Sequence, residues 1–122
     1  MIAKEPILKQ IIRKTPTSFS WVDHRLVRNR YIESCTHAQS ALYLFLVCVS
    51  DARGLSYYSD KSIIRKLDMD VQSLREARTG LVKNSLIAWQ KPIYQVISLE
   101  PGNNNCRSGQ MMSLSDLLGG VK

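Results

Sequence analysis

The longest block of apolar residues, 41–49, sits inside a pattern with helical period. Ala38, Leu42, Phe45, Leu46 and Val49 recur at spacings that share one side of a helix. Tyr43, Leu44 and Val47 widen that side, so a helix over about 36–50 is expected to be the central one. Thr36 followed by Gln39 forms a capping box at its start. Asp51-Ala52-Arg53-Gly54 reads as a turn and residues 55–58 as a short strand. A second helix is predicted from a Ser59 or Asp60 cap to Leu67, with Ile63, Ile64 and Leu67 inward. Asp68-Met69-Asp70 breaks the pattern. A third helix is predicted from Val71 to about Asn84, capped by Asp70, with Leu74, Ala77, Arg78, Leu81 and Val82 along one face. Asn84-Ser85 closes it, because Asn tolerates the left-handed backbone. Residues 86–89 and 93–99 are rich in β-branched and aromatic side chains, and the short Gln90-Lys91-Pro92 link makes them a hairpin with Pro92 in the turn.

The flanks differ from this central pattern. Residues 1–18 form a basic arm, with Lys4, Lys9, Arg13 and Lys14 against Glu5. Ile7, Leu8, Ile11 and Ile12 recur within it at helical spacing, and a short amphipathic helix starting near Pro6 and ending by Pro16 is one expectation. Phe19-Ser20-Trp21-Val22 reads as a short strand, followed by a basic connector with His24, Arg25, Arg28 and Arg30. Residues 19–100 make up the expected domain. Residues 101–122 read as a tail, opened by the breaker sequence Pro101-Gly102-Asn103-Asn104-Asn105. Within it, residues 113–118 read either as one docking helical turn or as part of a disordered end.

Composition bounds the function classes. A chain of 122 residues with 44% hydrophobic and 22% charged residues supports one globular domain. The formal charge of +7 favours a polyanionic partner, nucleic acid or an anionic surface. The excess is uneven: residues 19–100 carry +3, the arm +3 and the tail +1. Three cysteines, Cys35, Cys48 and Cys106, have no metal spacing and suggest no disulfide framework. Cys48, inside the apolar run, reads as a small core residue. No stretch has signal-peptide or membrane-span length, so a cytoplasmic protein without a membrane partner is expected. His24 and His37 lie apart from other ligands, and no P-loop, nucleophile elbow or paired-carboxylate motif is present. The expectation is no metal, no cofactor and no enzymatic activity.

The segment 62–87 resembles the helix-turn-helix of winged-helix proteins. Ile63 and Leu67 mark the first helix of the pair, Leu74 and Leu81 the second, and Ser85-Leu86-Ile87 stands where that family usually has Gly-Leu-Ile before the wing. The resemblance extends over about 36–99 with the flanking elements. It implies a mainly α fold with a small antiparallel sheet (α+β), a three-helix core and a β-hairpin wing. MarR-type regulators and DnaD-like replication-initiation or mobile-element proteins, which are bacterial, are the relatives it suggests. Three departures stand out. Asp68 occupies a turn position where Gly is common, Gly80 sits inside the third helix, and the wing is very short. A close helix approach at Gly80 would explain the second.

The resemblance also implies a function, sequence-specific binding of double-stranded DNA through residues 71–84. The setting would be transcriptional regulation, or replication or transposition of a mobile element. Side chains left outside the core would face the major groove: Gln72, Ser73, Arg75, Glu76, Thr79 and Lys83. Gln72 suits adenine and Arg75 guanine, whereas Ser73, Thr79 and Lys83 suit phosphates. Glu76 repels phosphate; it suits either a cytosine contact or a salt bridge. Lys61, Arg65, Lys66 and Lys91 would add phosphate contacts. The arm's basic residues either track phosphates or solubilise the end. A homodimer is one expected assembly, through Ile7, Leu8, Ile11 and Ile12 or through the apolar excess of the 36–50 helix, and a protein partner is conceivable at arm or tail. The competing reading is a winged-helix protein-interaction module without DNA contact. Tyr57, Tyr58, Trp89 and Tyr94 are expected to pack in core and sheet in preference to stacking on single strands.

Overall fold

A computed structural model describes residues 2–99. Four α-helices, α1 (Arg25–Arg28), α2 (His37–Val49), α3 (Asp60–Leu67) and α4 (Val71–Lys83), combine with three strands, β1 (Leu55–Tyr57), β2 (Ile87–Gln90) and β3 (Ile93–Val96). The class is α+β. The strands form one antiparallel sheet in the order β1-β3-β2, with Ser56 opposite Tyr94 and Trp89 opposite Tyr94 in the two registers. β3 is therefore the central strand and β1 and β2 are edges.

Caps set the helix boundaries. The Thr36 hydroxyl accepts from the Gln39 backbone N–H at 3.1 Å, the Ser59 hydroxyl from Ser62 at 3.2 Å, and the Asp70 carboxylate from Ser73 at 3.1 Å. Only the first half of the capping box forms. Gln39 Oε1 is buried without a partner, because its side chain lies against Gly80 of α4. Left-handed residues stop both α3 and α4: Asp68 has φ 54° and Ser85 has φ 62°. Asp68 thus performs the turn role in which glycine is common. The residue that turns left-handed after α4 is Ser85 and not Asn84, whose φ is −84°. Gly54 has φ 84°, and a Cβ there would meet the Val96 carbonyl oxygen at 2.7 Å, so the 51–54 turn closes onto β3 only with glycine.

The core lies between α2, α4 and the sheet. Leu42 and Leu46 of α2, Ile63 of α3, Leu74 and Leu81 of α4 and Tyr94 of β3 are fully buried. α2 packs chiefly on α4, α3 also packs on α4, and β3 lies against α2. α4 is thereby held from two helices while one side stays open.

Gly80 explains how closely α2 and α4 approach. All three nearest neighbours of a Cβ added at Gly80 would be atoms of the Gln39 side-chain amide, and the closest is a clash. Glycine in a helix interior costs about 1 kcal/mol relative to alanine. Gly80→Ala is therefore expected to gain about 1 kcal/mol in a Gln39→Ala background and distinctly less in the native background. A double-mutant cycle by urea unfolding measures the difference; equal gains would place the constraint elsewhere.

Several expectations are corrected. Phe19-Ser20-Trp21-Val22 is not a strand, and Phe19, Trp21 and Val22 are exposed. The sheet takes only β1, β3 and β2, and neither edge strand pairs with this run. The arm forms no amphipathic helix; it has one 3₁₀ turn at Lys9–Ile11, and residues 2–20 are exposed throughout. The basic connector instead contains α1, whose Leu26 enters the core, and a 3₁₀ turn at Ile32–Ser34. Cys48 is exposed and not in the core, because it shares with Leu44 the outward side of α2. The expected tail, 101–122, lies outside the described residues.

Candidate nucleic-acid interface

α4 divides cleanly by burial. Leu74, Ala77, Arg78 and Leu81 face the core, while Gln72, Arg75, Glu76, Thr79 and Lys83 are exposed and Ser73 is half-buried. The division follows the 3.6-residue period of the sequence and leaves the outward side uncovered by any described element. Gln72 Nε2 donates to Glu76 Oε2 at 2.9 Å, one helical turn apart. The Glu76 charge is thus held by a neutral amide and not by a cation. Lys61, Arg65 and Lys66 of α3 are exposed, as is Lys91 at the β2–β3 turn. Among the ten predicted site residues, six cations stand against Glu76, and Asp68 and Asp70 add negative charge at the α3–α4 turn.

Arg78 is the one cation on the buried face. Its guanidinium donates to Asp60 Oδ1 at 2.7 Å and to the Tyr94 hydroxyl at 2.8 Å, and lies 3.9 Å over the Trp89 ring. A single side chain so joins the start of α3, the middle of α4 and both strands of the hairpin. Burial pulls the Arg78 pKa down, but hydrogen bonds to Asp60 and Tyr94 outweigh it and the net direction is up. Burial pushes the Tyr94 phenol up despite the nearby guanidinium, so it stays a neutral acceptor for Arg78. The aromatic expectation holds in part. Tyr94 is buried and Tyr58 packs edge-on against Phe45 at 5.1 Å, whereas Tyr57 and Trp89 are exposed.

Arg78 falls among the apolar positions of α4, and its partners do not follow from the sequence pattern. A charged residue between Ala77 and Leu81 on a core face signals that a carboxylate or hydroxyl must meet it. The partners lie 16 and 18 residues away in sequence, and helical spacing does not point to them. A second missed feature is an open groove of about 530 Å³. It lies between residues 19–23, the end of α2, the 51–54 turn and the chain after β3. Among the described residues no group of His, Cys, Asp and Glu could hold a metal ion, and no helix is long and apolar enough to cross a membrane.

Two carboxylates anchor the backbone around these elements, and a third pairs locally. The Asp70 pKa is lowered by hydrogen bonds from the side chain and backbone of Ser73. Asp51 is lowered by the backbone N–H groups of Leu55 and Arg53. Asp23, hydrogen-bonded to the Arg25 side chain, is lowered to about 2. All three therefore stabilise the fold above the ordinary carboxyl range, and that contribution is lost as pH falls through the depressed values. The urea midpoint is expected to hold from pH 7 to about 5 and then decline toward pH 2. Asp70→Asn should flatten part of the decline, and an unchanged slope would remove Asp70 from the group.

No family model matches the chain, and neither a curated protein nor a solved structure matches it.

Proposed function

We propose that the chain is a winged helix-turn-helix module that binds double-stranded DNA sequence-specifically, with α3 and α4 as the helix-turn-helix and β2–β3 as the wing. The observation that carries this reading is the exposed side of α4, with Arg75 and Lys83 on it, flanked by the exposed cations of α3. An α-helix fits the major groove, and the helix before it spans the backbone. Arg75 then reads guanine and Gln72 adenine, while Ser73, Thr79, Lys83, Lys61, Arg65, Lys66 and Lys91 contact phosphates. Gln72 must leave Glu76 to do so. The fitting roles are transcriptional control and replication or transposition of a mobile element, in a cytoplasmic setting.

Titration with duplex DNA at several salt concentrations tests the reading, because each neutralised phosphate adds to the slope of log affinity against log salt. Lys83→Ala is expected to weaken binding across sequences and reduce the slope by about 1, whereas Arg75→Ala relaxes preference at one position. Affinity that does not fall as salt rises counts against DNA binding.

A second reading, a protein-interaction module, has its own support in the Gln72–Glu76 pair at the centre of the exposed side. On that reading Glu76→Lys abolishes a protein contact. On the DNA reading the same substitution strengthens non-specific duplex binding.

A further inference from the structure

We propose that two copies of this chain exchange their arms, each seating Ile7, Leu8, Ile11 and Ile12 in the groove of the other. The inference stands apart from DNA binding and holds or fails independently of it.

Two unmatched surfaces in one chain lead to it. The first is the arm. Ile7 is 95% exposed and Ile11 70%, and Leu8 and Ile12 are also more than half exposed. Four large aliphatic side chains within six residues form an apolar patch that a stable monomer has little reason to present. The second is the groove, floored and rimmed by Phe19, Trp21, Tyr43, Val47, Val96 and Leu99. Its volume of about 530 Å³ falls in the range that encloses sizeable apolar groups. Trp21 at its rim is 72% exposed, so one wall waits for cover.

The arm does not fill the groove of its own copy. No residue before Phe19 lines it, although the arm leads directly into the rim at Phe19. Residues 2–18 are exposed throughout, so the apolar cluster makes no buried contact within its own copy. Asp23 at the groove is already paired with Arg25, and Asp51 is engaged by the backbone N–H groups of Arg53 and Leu55, so the fit rests on apolar contact and not on charge. A second copy supplies both the missing occupant and the missing acceptor. A two-fold axis makes the exchange reciprocal and closed, so the buried area is doubled without forming a chain of copies.

The test uses the full chain. Sedimentation equilibrium over a concentration series is expected to give twice the 13.9 kDa chain mass at high concentration, dissociating on dilution. Trp21 emission, assigned by comparison with Trp21→Phe, should shift red along the same dilution curve. Ile7→Asp/Ile11→Asp touches only exposed positions, so its far-UV circular dichroism should match the native chain. It is expected to raise the dimer dissociation constant at least 100-fold and to keep Trp21 red-shifted. Mixing that variant with Trp21→Ala, which keeps its arm but loses the rim, should give a heterodimer of intermediate affinity, because one native arm still meets one native groove; a mixture that associates no better than either variant alone overturns the exchange. A monomer at every concentration overturns the proposal. So does a dimer that survives Ile7→Asp/Ile11→Asp, or Trp21 emission that ignores dilution.

Discussion

Arg78→Ala is expected to lower the unfolding free energy by about 3 kcal/mol, the largest loss from any single polar residue. The Arg78 side chain is only 8% exposed, whereas that of its partner Asp60 is 44% exposed. The asymmetry decides where the cost arises. Once Arg78 is removed, Asp60 is rehydrated at little expense. The Tyr94 hydroxyl, in the fully buried Tyr94, loses its donor and costs about 1–3 kcal/mol. Loss of the guanidinium over Trp89 adds roughly 0.5–1 kcal/mol, and the vacated volume adds more. Tyr94→Phe should therefore cost only about 1 kcal/mol, because it leaves Arg78 its ion pair. Urea unfolding of the native chain, both single variants and the double variant measures the coupling. Additive losses would mean that the hydroxyl and guanidinium do not act together. The DNA reading adds a second readout: Arg78→Ala should also reduce duplex affinity, since it loosens the hairpin from α4 without touching the exposed side.

Leu81→Ala should cost a similar or greater amount, about 3–4 kcal/mol. Leu81 is fully buried among residues of α2, α4 and the sheet, and those elements can collapse only partly into the space it leaves. The matched control is Ile11→Ala in the arm. Its side chain is 70% exposed, and in the monomer its loss should fall within about 0.5 kcal/mol of zero. Chemical denaturation at low protein concentration separates the two. A Leu81→Ala loss below about 1 kcal/mol would indicate a core that repacks readily.

The central elements were legible because each carried redundant signals. α2, α3 and α4 combine an apolar stripe with a Thr36, Ser59 or Asp70 cap, and both signals agree on where each helix starts. The hairpin was legible from β-branched residues on either side of Pro92. Single, uncorroborated signals misled. Phe19-Ser20-Trp21-Val22 has strand composition, but a strand exists only where a neighbour offers hydrogen bonds, and that depends on the whole fold. Cys48 was assigned by its apolar surroundings, although its four-residue offset from Leu44 marks a separate, outward stripe of α2. α1 was hidden because its only buried residue is Leu26, too few for a periodic pattern.

The candidate site divides the same way. Exposure of Gln72, Arg75, Glu76, Thr79 and Lys83 follows from helical phase alone, so it could be read in advance. The Gln72–Glu76 hydrogen bond is an i, i+4 pair accessible by the same rule, whereas residue type alone pointed Glu76 to a cytosine contact or a salt bridge. The Arg78 cluster and the groove needed distant segments to be brought together, which no local pattern encodes.

The Asp70 cap, in extended backbone, and the left-handed Ser85 fix α4 as a ruler of set length. Its start is held by the cap and its end by the backbone turn, so the helix stays near its 13 residues, about 20 Å. From Gln72 to Lys83 the usable edge spans roughly 16 Å, about five base-pair steps at 3.4 Å each. On the DNA reading, one copy alone contacts too few bases to mark a unique genomic address. A longer recognition sequence then has to come from two such rulers, set about 34 Å apart along the duplex.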